Sequence, residues 1–104
     1  MADLDFDLTA ARDARGGLRL TLRGELDLGS APRVEQALAE AGDAEVLLDL
    51  RGLTFMDSTG VRVLLEAAAR GGLRVIAPVG GEARVTIEET GIAPLLPLAD
   101  EGQP

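Results

Sequence analysis

The sequence predicts an α/β fold in which a mixed β-sheet begins with an N-terminal β-hairpin and helices pack against the sheet. Two segments near the N-terminus alternate apolar and polar residues, as half-buried strands do. Two later segments, residues 45–50 and 73–77, are almost continuously apolar, which is typical of strands buried on both faces. Between and after them, apolar residues recur with the period of an amphipathic helix. The predicted order is β-β-α-β-α-β-α-β.

The hairpin is predicted from the alternation on either side of a glycine-containing turn, Arg15-Gly16-Gly17. The first strand is predicted over residues 4–9 and the second over residues 18–23. In both segments every second residue is apolar: Leu4, Phe6, Leu8, Leu18, Leu20 and Leu22. Residues 24–29 then form the predicted connection to the first helix.

The first helix is predicted to begin with Ser30 as its N-cap and Pro32 in its first turn, and to end at Gly42. Its predicted buried face comprises Val34, Ala37, Leu38 and Ala41. The buried strand over residues 45–50 follows, and we expect Arg51-Gly52 to form the turn that ends it.

A second helix is predicted from Ser58 to the glycine pair Gly71-Gly72. Its predicted buried face comprises Val61, Leu64, Leu65 and Ala68. The remaining elements are a strand over residues 73–77, a third helix over residues 80–90 and a short edge strand over residues 95–98. We therefore assign residues 1–98 to one domain and residues 99–104 to a polar C-terminal tail.

The composition excludes several kinds of chemistry. The chain has no cysteine, no histidine and no lysine, and all ten of its basic residues are arginines. Disulfides and thiolate metal sites are therefore excluded, and the commonest general base and metal ligand are missing. Schiff-base chemistry is excluded as well. We expect no metal, no cofactor and no enzymatic activity.

The net charge of -8 limits the class of partner. Such a charge repels duplex nucleic acid and anionic membranes and favours a basic protein partner. No apolar run is long enough to cross a membrane, and the acidic residues 1–5 do not resemble a signal peptide. We therefore expect a cytoplasmic protein that binds neither nucleic acid nor membranes.

Three polar features follow or lie near the ends of predicted strands. They are the loop Gly24-Glu25-Leu26-Asp27, the residue Asp49 in the third strand, and Asp57-Ser58-Thr59-Gly60 at the start of the second helix. Because ligands of α/β sheets gather outside the carboxyl ends of parallel strands, we expect these features to meet at one edge of the sheet.

Ser58 has three possible roles: helix cap, nucleophile or phosphate acceptor. A serine hydrolase needs a base that this chain lacks, and a phosphoaspartate receiver using Asp57 or Asp49 needs a nearby lysine. Phosphate acceptance remains, because the catalytic groups would belong to another protein. On spacing alone, capping by Ser58 or Thr59 is the favoured role, with Asp57 as a second candidate cap, and Asp27 and Asp49 are as well explained as structural carboxylates.

Four segments of the chain resemble a STAS domain, and more narrowly the stand-alone anti-sigma factor antagonists of bacteria. They are Gly24-Glu25-Leu26-Asp27, residues 48–60, Gly72-Leu73-Arg74-Val75 and Thr90-Gly91-Ile92. The resemblance covers about residues 15–98. The segment 82–89 departs from it, since Glu89 stands where the family usually has an apolar residue.

The resemblance implies a switch by partner exchange. The unphosphorylated antagonist binds an anti-sigma factor that is also a serine kinase and so frees a sigma factor; phosphorylation abolishes binding, and a serine phosphatase restores it. Ser58 matches the acceptor position, with Thr59 as the second candidate. The implied partner-binding residues are Glu25, Asp27, Asp57, Ser58, Thr59, Gly60 and Arg62.

Two other functions stay open. One is a STAS interaction subunit of a stress-signalling scaffold or of a lipid-transport ATPase complex, which would bind partners without reversible control through Ser58. The other is an enzyme with its own weak nucleotide hydrolysis. The missing lysine and the absence of a phosphate-binding loop argue against that enzyme.

Overall fold

The computed structural model describes residues 5–99 and confirms the α/β fold class. The elements, in chain order, are β1 (Phe6–Arg12), β2 (Leu18–Leu26), α1 (Ala31–Ala41), β3 (Val46–Met56), α2 (Ser58–Arg70), β4 (Leu73–Ile76), α3 (Glu82–Glu89) and a short 3-10 helix (Ala93–Leu95). Leu4, predicted to start the first strand, and residues 100–104 of the predicted tail lie outside the described residues.

The four strands form one sheet in the order β1-β2-β3-β4. β1 and β2 are antiparallel, as the predicted hairpin requires, whereas β2, β3 and β4 are parallel. The two helical crossovers therefore step across the sheet in the same direction. Because such crossovers are almost always right-handed, α1 and α2 lie on the same face. α3 packs chiefly against β3 and contributes to the same core.

The core is aliphatic and fills the space between that face and the helices. Its fully buried side chains are Leu20, Leu22, Leu26, Val34, Leu48, Leu50, Val63, Leu64, Val75 and Ile87. The alternate residues of the strands point to the opposite face, where most are exposed or half-buried. We call this second side of the sheet the open face.

The predicted turn at Arg51-Gly52 is wrong, because β3 continues through it to Met56. Relative to β2, β3 has one extra residue between Asp49 and Gly52 and another between Leu53 and Phe55, so the strand bulges rather than ends. A Cβ on Gly52 would lie 2.7 Å from Cγ of Arg23. Gly52 thus permits a close approach between strands instead of a turn.

Two other boundaries differ from the prediction. β2 continues through Leu26, so that Glu25 belongs to a strand and not to a connecting loop. The predicted edge strand over residues 95–98 is replaced by the 3-10 helix and by one isolated parallel bridge between Leu98 and Val75. The third helix is confirmed, and Glu89 is compatible with it because that residue is exposed.

Gly24 is expected to be essential to the hairpin. Its φ is 90°, and a Cβ there would lie 1.8 Å from the carbonyl oxygen of Asp5. Gly24→Ala should therefore lower the free energy of unfolding by more than ~2 kcal/mol, measured by urea denaturation.

Gly91→Ala is the matched control, since Gly91 has a φ of 77° but open space around its Cβ position. It carries the backbone strain without the clash and should cost about 1–2 kcal/mol. Equal losses in the two variants would show that the contact with Asp5 is unimportant.

Candidate functional site

Asp57, not Ser58, caps the helix that follows β3. The backbone of Asp57 is extended, and its Oδ1 accepts hydrogen bonds from the N–H groups of Thr59 (2.9 Å) and Gly60 (3.3 Å). Ser58 is the first residue of α2. The prediction that Ser58 or Thr59 caps the helix is therefore wrong, because the cap position lies one residue earlier and an aspartate fills it.

The Ser58 side chain is exposed, and it is not used to cap α2. Its hydroxyl makes no hydrogen bond to any residue in the range 5–99. Thr59 is half-buried and Gly60 is buried. A Cβ on Gly60 would lie 2.4 Å from Cγ of Met56 and 3.2 Å from Leu26, so glycine lets the start of α2 approach the strand ends. Of the hydroxyls in this motif, that of Ser58 is the more accessible.

The loop between β2 and α1 lies directly beside this helix start. The N–H of Asp57 donates a hydrogen bond to the carbonyl of Leu26 (3.3 Å), the last residue of β2. Asp27 is the next residue, and its Oδ1 accepts from the N–H groups of Gly29 (3.0 Å) and Ser30 (3.1 Å). The structure therefore brings the Asp27 loop and the Ser58 motif together, as predicted, and gives Asp27 a structural role in its own loop.

Ser30 occupies the predicted N-cap position of α1 without capping the helix. Its buried hydroxyl donates to the carbonyl of Glu25 (2.8 Å) and accepts from the N–H of Asp27 (3.0 Å). These bonds join the end of β2 to the start of α1. The carboxylate-bearing Glu25 is half-buried and lines a shallow depression with Asp7, Arg23 and other residues of the strand ends.

Asp49 does not belong to this site, contrary to prediction. It lies in the middle of β3, opposite Thr21 of β2, and its side chain is buried on the open face. Its carboxylate accepts from Arg51 through Nε (3.0 Å), Nη2 (2.8 Å) and the backbone N–H (3.1 Å), and from Nη2 of Arg19 (2.7 Å). The Arg51 side chain is the main cause that lowers the pKa of Asp49 to about 2, against the opposing effect of burial.

Arg62 is engaged in ion pairs on the surface of α2. Its Nη1 donates to Glu35 of α1 and to Glu66 of α2, each at 3.0 Å. Glu35, followed by Glu66, raises the pKa of Arg62 above its usual value. Arg62 thus connects two helices, and a partner that used its charge would have to compete with both carboxylates.

Three exposed apolar residues, which the sequence reasoning did not identify, follow or end the parallel strands. Leu28 comes after β2, Phe55 lies near the end of β3, and Val79 comes after β4. The carboxyl ends of parallel strands share one edge of the sheet. We call this edge, with Asp27, Asp57, Ser58 and the three apolar residues, the carboxyl edge. Leu28, Phe55 and Val79 are 75%, 46% and 74% exposed, so each presents apolar surface at this edge.

Two absences apply to the part of the chain that the structure describes. Within residues 5–99, no group of three or more aspartates and glutamates is arranged to hold a metal ion. Within the same range, no helix has the length and apolar character needed to span a bilayer.

The comparisons with known proteins agree with this architecture. A family model described as "Mlab, STAS domain" matches residues 9–97. No curated protein matches the chain. Among solved structures, an anti-sigma factor antagonist from Mycobacterium paratuberculosis is similar, with 26% sequence identity and a TM-score of 0.80. The similarity covers 93% of this chain and 87% of that one.

Two further solved structures share the fold at lower identity. The anti-sigma factor antagonist SpoIIAA in its unphosphorylated form is 24% identical, with a TM-score of 0.68 over 91% of this chain and 90% of that chain. The Bacillus cell fate determinant SpoIIAA in its phosphorylated form is 23% identical, with a TM-score of 0.65 over 91% and 93%.

The capping geometry predicts different effects for neighbouring substitutions. Asp57→Ala should lower the free energy of unfolding by ~1 kcal/mol, because two helix N–H groups lose their acceptor. Ser58→Ala should change it by less than about 0.5 kcal/mol, since the hydroxyl makes no bond. Urea denaturation measures both, with Asp57→Asn as the variant that retains a capping oxygen. A larger loss in Ser58→Ala than in Asp57→Ala would contradict the assignment of the cap.

The lowered pKa of Asp49 predicts a pH dependence of stability. The stabilisation is complete above the unfolded-state pKa of 3.8 and is lost as the pH falls through about 2. Between pH 5 and pH 2, the wild type should lose about 2 kcal/mol that Asp49→Asn does not lose. Urea denaturation across this range tests it, and parallel pH profiles of the two proteins would contradict it.

Proposed function

This chain belongs to the STAS domain family, and from that premise we propose that it is an anti-sigma factor antagonist controlled by phosphorylation of Ser58. In its unphosphorylated form it binds an anti-sigma factor that is also a serine kinase, and a sigma factor is released. A serine phosphatase reverses the modification. The single observation that carries this proposal is that the Ser58 hydroxyl is exposed and makes no hydrogen bond within residues 5–99, because Asp57 supplies the helix cap.

The hydroxyl has the properties that a kinase substrate needs. Phosphoryl transfer forms a bond between Oγ of Ser58 and the γ-phosphorus of ATP, breaks the bond to the ADP leaving group, and transfers the hydroxyl proton to a base of the kinase. Because Ser58 makes no hydrogen bond within residues 5–99, its modification removes no internal contact. The fold should therefore survive phosphorylation.

The carboxyl edge supports partner binding by its composition. Leu28, Phe55 and Val79 supply apolar contact, and Asp27 and Asp57 supply negative charge that suits a basic partner. Only Oδ1 of Asp27 is used inside the loop, so Oδ2 remains available. We propose that Glu25, Asp27, Asp57, Thr59, Gly60 and Arg62 contribute to this interface with Ser58.

Phosphorylation would switch the interface off by electrostatics rather than by unfolding. The N–H groups of Thr59 and Gly60 already donate to the Asp57 carboxylate, so they offer little stabilisation to a second anion. A phosphate of about -1.5 to -2 charge would instead point outward beside Asp57 and Asp27. It would have to lose hydration when a partner docks, and its bulk would block the packing of the apolar residues.

A second candidate rests on the family model, whose description names the STAS domain and no antagonist or kinase. It is a STAS interaction subunit of a stress-signalling scaffold or of a lipid-transport ATPase complex. The same carboxyl edge would bind the partner, but without reversible control through Ser58.

The proposal predicts the stoichiometry and site of modification. With an anti-sigma serine kinase and ATP, the wild type should gain one phosphate by intact mass spectrometry. Ser58→Ala should gain none, whereas Thr59→Ala should still gain one. Phosphate on Thr59 in the wild type, or undiminished incorporation in Ser58→Ala, would contradict the assignment of Ser58.

Binding to the same kinase, measured by isothermal titration calorimetry, separates the two candidate functions. Ser58→Asp should weaken binding at least about tenfold, because it places a carboxylate at the centre of the interface, while Ser58→Ala should bind like the wild type. If Ser58→Asp binds as tightly as the wild type, the charge switch is wrong and the constitutive interaction subunit is favoured.

A further inference from the structure

Arg62 lies one helical turn after Ser58 on the same face of α2. The two residues are four positions apart in a helix that begins at Ser58 and ends at Arg70. Side chains at this spacing are neighbours, with Cβ atoms about 5–6 Å apart. Both side chains are exposed. A group attached to the Ser58 hydroxyl is therefore within reach of the Arg62 guanidinium.

The contacts of Arg62 use only one of its three guanidinium nitrogens. Nη1 donates to Oε2 of Glu35 on α1 (3.0 Å) and to both carboxylate oxygens of Glu66 (3.1 and 3.0 Å). Nε and Nη2 make no hydrogen bond to any residue in the range 5–99. These two nitrogens form the edge of a guanidinium that can donate two parallel hydrogen bonds to one phosphate. Arg62 therefore keeps a free bidentate edge while it joins α1 to α2.

The charges around Ser58 favour the use of this edge once a phosphate is present. A phosphoserine carries about -1.5 to -2 charge at pH 7. Asp57 precedes Ser58 and Asp27 lies in the adjacent loop, so both nearby carboxylates repel that charge. The N–H groups of the first turn already donate to Asp57. Of the two arginines of α2, Arg62 is within one turn of Ser58, whereas Arg70 ends the helix.

We propose that the phosphate on Ser58 binds Arg62 through Nε and Nη2, so that Arg62 positions the phosphate on the outer surface of α2. This inference rests on the proposed phosphorylation of Ser58. The contacts with Glu35 and Glu66 need not break, because they use Nη1. The phosphate is then held on the surface at which a partner would dock. The free edge of Arg62 is occupied as well, and it is no longer offered to that partner.

The test places phosphoserine at position 58 of the full chain by stop-codon suppression and follows the phosphate by ³¹P nuclear magnetic resonance as the pH is varied. The pair favours the phosphate dianion, so the second pKa of the phosphate should be about half a pH unit lower in the otherwise wild-type chain than in Arg62→Gln. Arg62→Lys, which keeps the charge without the bidentate edge, should give an intermediate pKa. The ¹⁵N signal of Arg62 Nε should move with the same titration.

Arg15→Gln is the matched control, because Arg15 is exposed in the β1–β2 turn, at the end of the sheet opposite the carboxyl edge, and the substitution removes the same charge. It should leave the pKa of the phosphate within about 0.1 pH unit. The Arg62 side chain is 50% exposed, so its variants should fold, which circular dichroism verifies.

The inference is overturned if Arg62→Gln and Arg15→Gln titrate alike, or if Arg62→Lys titrates as the wild-type side chain does. It is also overturned if the Nε signal of Arg62 does not respond to the titration, since the phosphate would then be held by other groups. No kinase is used in this experiment. Its failure therefore leaves the modification of Ser58 by an anti-sigma kinase untouched, and that modification is decided separately by intact mass spectrometry.

Discussion

The architecture depends on one constraint, which is that both parallel crossovers step in the same direction across the sheet. Right-handed connections then place α1 and α2 on one face, and the core forms there from aliphatic side chains. The same constraint aligns the carboxyl ends of β2, β3 and β4 at one edge, where Asp27 and Ser58 meet. Within residues 5–99, no helix packs on the second face of the sheet, where the buried carboxylate of Asp49 pairs with Arg19 and Arg51.

At the carboxyl edge, the residues that stabilise the fold are different from the residue whose hydroxyl is exposed to a partner. Asp57 satisfies the helix N–H groups, Ser30 joins β2 to α1, and Gly60 lets α2 approach the strand ends. Each of these residues makes a contact that the fold requires. Among residues 5–99, the hydroxyls of Ser58 and Thr59 make no hydrogen bond, and Ser58 is the more exposed of the two, which is why we propose Ser58 as the residue that is modified.

The charges of the chain are distributed unevenly over its surfaces. The carboxyl edge combines carboxylates such as Asp27 with exposed apolar residues, whereas on the open face Arg19 and Arg51 pair with the buried carboxylate of Asp49. The net charge of -8 favours a basic partner but does not show that these arginines and Asp49 are paired within the fold.

The sequence was sufficient to predict the order of the elements through the third helix, the hairpin, the aliphatic core and the proximity of Asp27 to the Ser58 motif, because periodicity and strand-end positions are local properties of the chain. The identification of Asp57 as the cap required the tertiary structure, since neighbouring Asp, Ser and Thr are all good caps and the backbone conformation selects among them. The tertiary structure also decided that Asp49 is a buried ion-pair centre away from the site. Arg51 lies two residues along the same strand, within a bulge, whereas Arg19 is on another strand and is brought to Asp49 by the register of β2 and β3. That register depends on long-range pairing, which local sequence patterns do not contain.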